Sequence, residues 1–413
     1  MKLSTFAAAA VVGTAIGAPL GGNCPRGPPA PPAPPAGGPP APVGSSSSAK
    51  TDALAVKGAL NLAAYALSHG LPNTVCTKEN ASVRREWSTF SPQEKKDYIS
   101  AVQCLTKKPS KTPSSLAPGA KTRYDDFVAT HINQTLTIHG TGNFLSWHRY
   151  FTWAYEQALK NECGYKGSQP YYSWPKWAAD PTKSPVFDGS DLSMSGDGAP
   201  QPGRNNTCIP SNDLCQISLT PGNGGGCVTS GPFKDSFQVN LGPVAPVLTD
   251  FTPNPDFTGL GYNPRCLRRD ISKAASSKWS TDEQVSSLIT DFKDFASFST
   301  RMQGDFPNGF LGVHTAGHFT AGGDPGGDLF ASPGDPYFYF HHAMIDRVWW
   351  IWQNQDIANR QYAIGATITV NNQPPSRNAT LDDIIDLGYV GTKPVTIRDA
   401  SNTLAGPFCY VYV

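Results

Sequence analysis

HTAGHFTAGGDPGGDLFASPGDPYFYFHHAMIDRVWWIW, residues 314–352, is the stretch whose reading decides the fold. It opens with His314 and His318, four residues apart, which on a helix share one face a turn apart. A loop rich in Gly, Pro and Asp follows, and a second helical run then carries the pair His341–His342. Three imidazoles converging from two helices make a socket for one borderline or soft transition metal. Imidazole suits copper, zinc, iron and nickel, so ligand type alone does not name the ion. The chain has eight histidines, and four of them sit in this segment.

Three more, His131, His139 and His148, fall within eighteen residues upstream. The HGTG at 139–142 breaks any helix between them. From Phe144 the run FLSWHRYFTWAYEQAL has helical spacing, with Phe144, His148, Phe151 and Tyr155 on one stripe. A lone histidine on such a stripe is ordinarily a core residue. A trio matched by a second trio points to metal binding instead.

The rest of the chain frames these segments. A length of 413 residues with 39% hydrophobic content suffices for one large core, and a net charge of +1 argues against a nucleic-acid surface or an electrostatic hold on membranes. Residues 1–18 read as a secretory signal and residues 19–49 as a Pro-rich leader unable to build a core, so the folded domain is expected over 50–413. Nothing later is apolar for long enough to span a bilayer. Nine cysteines in a secreted chain read as disulfides, with Cys76–Cys104 the expected pair because both flank one short helical region. Sequons at Asn80, Asn133, Asn205 and Asn378 agree with secretion. Helices are predicted over 53–70, over 91–109 with a Ser91/Glu94 capping box, and over 122–133 ending at His131. A further amphipathic helix is predicted over 280–302, capped by Ser280 with Glu283. Residues 181–266 are expected to be irregular and disulfide-stapled, with short strands near 233–241, and strand-like stretches reappear after Trp352 (ATITVNN, KPVTIRD).

The paired histidine segments resemble the two copper-binding regions of the tyrosinase/catechol oxidase family, the type-3 copper proteins that also include hemocyanins. The resemblance rests on His131, His139 and Phe144-Leu-Ser-Trp-His148-Arg149-Tyr, then on His314-x-x-x-His318 and Asp335-Pro-x-Phe-x-x-His341-His342-x-x-Ile-Asp346-Arg347. The closing Tyr410-Val-Tyr412 resembles the tyrosine motif that ends the family's core, and Arg123 sits where the family has its partner arginine. The resemblance covers roughly residues 122–413 and is closest in spacing to short secreted fungal polyphenol oxidases.

The resemblance implies a mainly α fold, a four-helix bundle holding a dicopper centre, with long disulfide-stapled loops and a few short strands. His131, His139 and His148 would hold one copper, and His314, His318 and one of His341/His342 the other. Adjacent helix residues point about 100° apart, so both cannot easily serve one ion. The family pattern selects His342 and leaves His341 and Phe144 as packed neighbours. Asp346, one turn beyond His342, is expected to orient that imidazole. Leu329 and Phe330 fall at the family's substrate gate, and Thr315 follows the first ligand of the second copper, where relatives that hydroxylate phenols often carry Asn. Many relatives tether the second ligand of the first copper through a Cys two residues earlier; Thr137 stands there.

The implied reaction uses O2 to oxidise catechols to o-quinones, with slow ortho-hydroxylation of phenols. The partners are O2 and small phenolic substrates, and activity is expected without cleavage of the C-terminus. Two other readings keep the copper pair: tailoring of a phenolic secondary metabolite, and hemocyanin-type oxygen binding without turnover. A dizinc hydrolase is disfavoured by all-histidine ligation without a bridging carboxylate.

Overall fold

The computed structural model describes residues 47–72, 76–77, 79–234, 237–248 and 251–413. The expected signal and most of the expected leader lie outside them. The helices that organise the chain are α1 (Ala49–His69), α2 (Pro92–Leu105), α3 (Arg123–Ile138), α4 (Phe144–Cys163), α5 (Trp174–Trp177), α6 (Lys273–Trp279), α7 (Asp282–Asp291), α8 (Phe295–Gln303), α9 (Val313–Ala321) and α10 (Phe338–Gln355). Every residue from Phe338 to Asn354 is buried, so α10 is apolar or paired all round and forms the axis of the core. It packs on α4, α9, α7 and α1. The α1 crossing is close because of Gly58, where a Cβ would stand 3.1 Å from Asn354 Cβ. The mainly α architecture and the histidine-bearing bundle of α3, α4, α9 and α10 are as expected.

Local chemistry starts and stops the site helices. Thr122 and Asp125 form a capping box at the start of α3, as Ser91 and Glu94 do for α2. Gly164, in left-handed backbone at φ 73°, ends α4. Helix α3 runs past the expected end at His131 to Ile138, because no breaker intervenes before His139-Gly140. The expected single helix over 280–302 is two helices. Thr281, not Ser280, caps α7, and the Asp294 carboxylate captures Ser297 N to start α8 afresh. Of the expected strands after Trp352, ATITVNN forms only a 3-10 turn at Val370–Asn372, and KPVTIRD contributes the two-residue strand Val395–Thr396 before turning helical.

Four disulfides occur among the described residues: Cys76–Cys409, Cys104–Cys163, Cys208–Cys215 and Cys227–Cys266. The expected Cys76–Cys104 pair is therefore wrong. Cys104 lies on α2, which packs along α4 and so faces Cys163 at the α4 end. Cys76 precedes the strand Ser82–Arg84, which pairs in parallel with Tyr410–Tyr412 and carries Cys409 to it.

That strand pair feeds a buried charge cluster. Arg84 donates to Glu156 (2.6 Å), to Asp346 (3.2 Å) and to Tyr412 Oη (3.1 Å), and lies over the Tyr410 ring. Asp346 also accepts from Arg149 Nε at 2.5 Å and from the hydroxyls of Tyr410 and Tyr412, each at 2.6 Å. The arginine that meets the closing tyrosines is thus Arg84. Arg123 instead pairs with Asp126 and Glu162 and donates to the Tyr389 and Val390 carbonyls. Burial alone would raise the Asp346 carboxyl, but Arg149 and Arg84 outweigh it and hold it below the usual range. An Arg84→Ala variant strands Glu156 and Asp346 as buried charges with a partner missing, and should lose about 3–5 kcal/mol of stability in a denaturant titration.

Candidate metal centre

The α3–α4 hairpin supplies one histidine trio. His131 lies within α3, His139 at its C-cap and His148 on α4, and all three are buried. Each turns its Nδ1 to a main-chain carbonyl: His131 to Phe330 O (2.7 Å), His139 to Thr135 O (3.0 Å) and His148 to Phe144 O (2.8 Å). A carbonyl only accepts, so each Nδ1 carries the proton and each Nε2 keeps a lone pair. The Nε2 atoms of His131 and His148 lie 3.5 Å apart.

Helices α9 and α10 supply the other group. His314, His318, His341 and His342 bring one ring nitrogen each within 4.8 Å of one another, as do His131, His139 and His148. His318 Nε2 lies 3.2 Å from His314 Nε2 and 3.3 Å from His342 Nε2. His341 differs: its Nδ1 accepts from Trp174 Nε1–H at 3.1 Å, which places the ring proton on Nε2 and leaves no free lone pair. Its ring packs against Gly317, where a Cβ would come within 2.0 Å of His341 Cε1.

The two groups abut. His148 stacks on His342 with centroids 4.5 Å apart, and His139 and His314 face each other at 5.9 Å. Phe144 wedges between them, 4.9 Å from His148 and 4.8 Å from His314. Phe338, given no role from sequence although it lies in the quoted motif, stacks on His342 at 4.1 Å and meets His131 edge-on. Trp174 gave no sequence signal at all. Phe330, expected at the gate, is partly buried and contributes the carbonyl that orients His131; Leu329 beside it is exposed. The buried Asp328 carboxylate holds this turn by accepting from the backbone of Val244, Phe330 and Ala331. Thr315 donates its hydroxyl to Gln303 O at 2.6 Å. Asp346 spends its oxygens on Arg84, Arg149, Tyr410 and Tyr412, so it does not orient His342 as expected; His342 Nδ1 has no hydrogen-bond partner among the described residues.

Burial lowers the proton affinity of all seven rings, and neighbouring imidazoles lower it further for all but His139. His139 is brought down to about 4 by burial, and His318 to about 3 by burial and by His139. Burial, reinforced by neighbouring imidazoles, holds His131, His148, His314, His341 and His342 well below the usual range. The rings are neutral at pH 7, the form that binds metal. The Nε2 atoms of His314 and His342 stand 3.2 and 3.3 Å from that of His318, and nitrogens tetrahedrally bound at 2.0–2.1 Å to one first-row ion stand about 3.3 Å apart. The donor set fits such an ion.

Comparisons with known proteins agree with this geometry. Residues 121–355 match the common central domain of tyrosinase. The chain is 44% identical to tyrosinase-like protein orsC of Emericella nidulans over 73% of its own length and 82% of the relative's. It is 37% identical to the N-acetyl-6-hydroxytryptophan oxidase ivoB of the same organism, covering 82% and 93% respectively. Its fold superposes on a mutant of the polyphenol oxidase of Thermothelomyces thermophila with a TM-score of 0.81 at 42% identity, covering 88% of this chain and 98% of that one. The chain belongs to the tyrosinase family of type-3 copper oxidoreductases.

Depressed folded-state values fix the sign of the acid response. Below about pH 6.5 the unfolded chain protonates these histidines while the folded chain does not, so the unfolded state gains protons and stability falls. Metal-free protein should therefore lose stability progressively from pH 6.5 toward pH 4 and below, in thermal melts across that range.

Proposed function

We propose that this protein is a secreted dicopper oxidase that uses O2 to oxidise small catechols to o-quinones, with ortho-hydroxylation of phenols as a slow side reaction. The observation that carries this reading is the pair of abutting histidine groups with neutral rings and converging Nε2 atoms. His131, His139 and His148 would hold one copper, and His314, His318 and His342 the other. Bound there, the pair supplies two-electron chemistry with O2. The tautomer of His341 argues for His342: the Trp174 indole donates to His341 Nδ1, so the ring proton sits on Nε2 and that nitrogen has no lone pair for a metal.

The chain's own residues favour catechols. Phenol hydroxylation gains from a base that takes the phenolic proton, worth about 10²–10⁴-fold. Thr315, beside His314, has its hydroxyl committed to Gln303 O. Asp305, the nearest acid upstream, binds Asn308 Nδ2 through both oxygens, at 3.1 and 2.9 Å. A catechol is more acidic, chelates, and needs only to give up electrons. Phe338 and Phe144 pack their rings against the imidazoles, and Leu329 offers an exposed apolar rim for an aromatic substrate. The oxidase named for N-acetyl-6-hydroxytryptophan favours, as a second reading, a phenolic biosynthetic intermediate as the physiological substrate.

Secretion is supported by the disulfides and by the exposure of all four sequon asparagines, Asn80, Asn133, Asn205 and Asn378, which we propose as glycosylation sites. No helix among the described residues is long and apolar enough to cross a membrane.

Two experiments test the reading. In oxygen uptake on matched phenol and catechol pairs, with copper loading verified and trace catechol removed, the catechol should turn over about 100-fold faster or more; comparable rates would make hydroxylation a main activity. In copper analysis, His342→Ala should retain one ion per chain and His341→Gln two. The reverse pattern would exchange their roles.

A further inference from the structure

His139 is the least supported of the proposed ligands. His131 and His148 sit within helices, whereas His139 leaves the end of α3 in extended backbone (φ −120°, ψ 142°). Thr137 offers no tether, since its exposed hydroxyl turns back to Gln134 O. What fixes the His139 loop comes from two distant segments that grip the next residue. Gly140 N–H donates to Gln303 Oε1 at 2.8 Å, and Gly140 O accepts from Asn371 N–H at 3.1 Å. Gly140 must be glycine: it is left-handed (φ 60°), and a Cβ would meet Asn371 Oδ1 at 2.6 Å.

Gln303 reaches the other histidine group as well. It is the last residue of α8, and its main-chain carbonyl accepts from Thr315 Oγ1 at 2.6 Å, the residue after His314. The α8 end and the α9 start touch through backbone, because Gly312 leaves no side chain between them; a Cβ there would come 2.5 Å from Met302 O. Ser299 O and Oγ hold the Gln303 amide nitrogen at 3.3 and 3.2 Å and so aim Oε1 at Gly140. One residue therefore grips the neighbour of His139 through its side chain and the neighbour of His314 through its main chain. These are two rings that face each other across the two groups.

We propose that Gln303 is a positioning residue that sets the spacing between the two histidine groups, and that the first group depends on its amide oxygen to retain copper. The inference rests on the assignment of two copper sites above. Its signature is asymmetry: truncating the side chain frees the His139 loop but leaves the main-chain bond to Thr315 intact. For Gln303→Ala, the chelator concentration that removes one of the two coppers should fall about 10–100-fold, the scale for losing a partner that orients a ligand, while the other copper is held as in the parent. The resulting one-copper chain should show a Cu(II) paramagnetic resonance signal that a coupled pair lacks. Gln303→Glu keeps an acceptor for Gly140 N–H and should retain both ions as the parent does. Gln303→Met keeps the volume without the acceptor and should behave as Gln303→Ala, which also serves if the alanine variant fails to fold.

Equal retention of both coppers in the Ala or Met variants, or equal loss of both, would overturn the inference. Failure of the parent protein to bind two coppers would instead overturn the site assignment, so the parent is measured first.

Discussion

Several imidazole lone pairs must point at one another inside a hydrocarbon core, and the rest of the structure answers that constraint. Left free, the rings would rotate apart or take up protons. Three are prevented from doing so by carbonyls that need a donor in any case. Thr135 O is an instance: it belongs to the last turn of α3, where carbonyls lack intrahelical partners, and the His139 side chain fills the vacancy. The ligand thus completes the helix end while the helix end fixes the ligand. Phenylalanine faces on either side supply shape without adding charge.

Charge is placed where it cannot disturb those neutral rings. Arg84 and Arg149 meet Glu156 and Asp346 in one buried cluster, with Lys160 also on Glu156. Buried ion pairs are weak stabilisers on balance, since desolvation offsets most of the attraction. Their value here is geometric. The cluster ties α4 to α10, the helices that carry His148 and His342, and ties both to the paired strands Ser82–Arg84 and Tyr410–Tyr412.

Much of this was legible from sequence wherever a local pattern carried it. Histidine spacing on helices, the Ser91/Glu94 and Thr122/Asp125 starts and the DPxFxxHH run all act within a few residues of themselves. Long-range partnerships were not legible. Cys76 finds Cys409 across 333 residues, and Arg84 finds Asp346 across 262, because a strand pairing brings them together that no local signal announces. Arg123 was assigned to the tyrosines by its place in a motif, yet the neighbours of its guanidinium decide otherwise. Tautomers are hidden for the same reason: His341 and His342 are identical letters, and only the Trp174 indole distinguishes them.

The closing tyrosines also impose an order of events on biogenesis. Tyr410 and Tyr412 meet Asp346 across 64 and 66 residues. At about 5–20 residues per second of synthesis, Asp346 precedes them by about 3–13 s. During that interval the residues of α3, α4 and α9 and the histidines of α10 have all been synthesised, yet Asp346 lacks two of its donors and the Ser82–Arg84 strand has no mate. A nascent chain therefore holds every histidine before it holds the scaffold that spaces them.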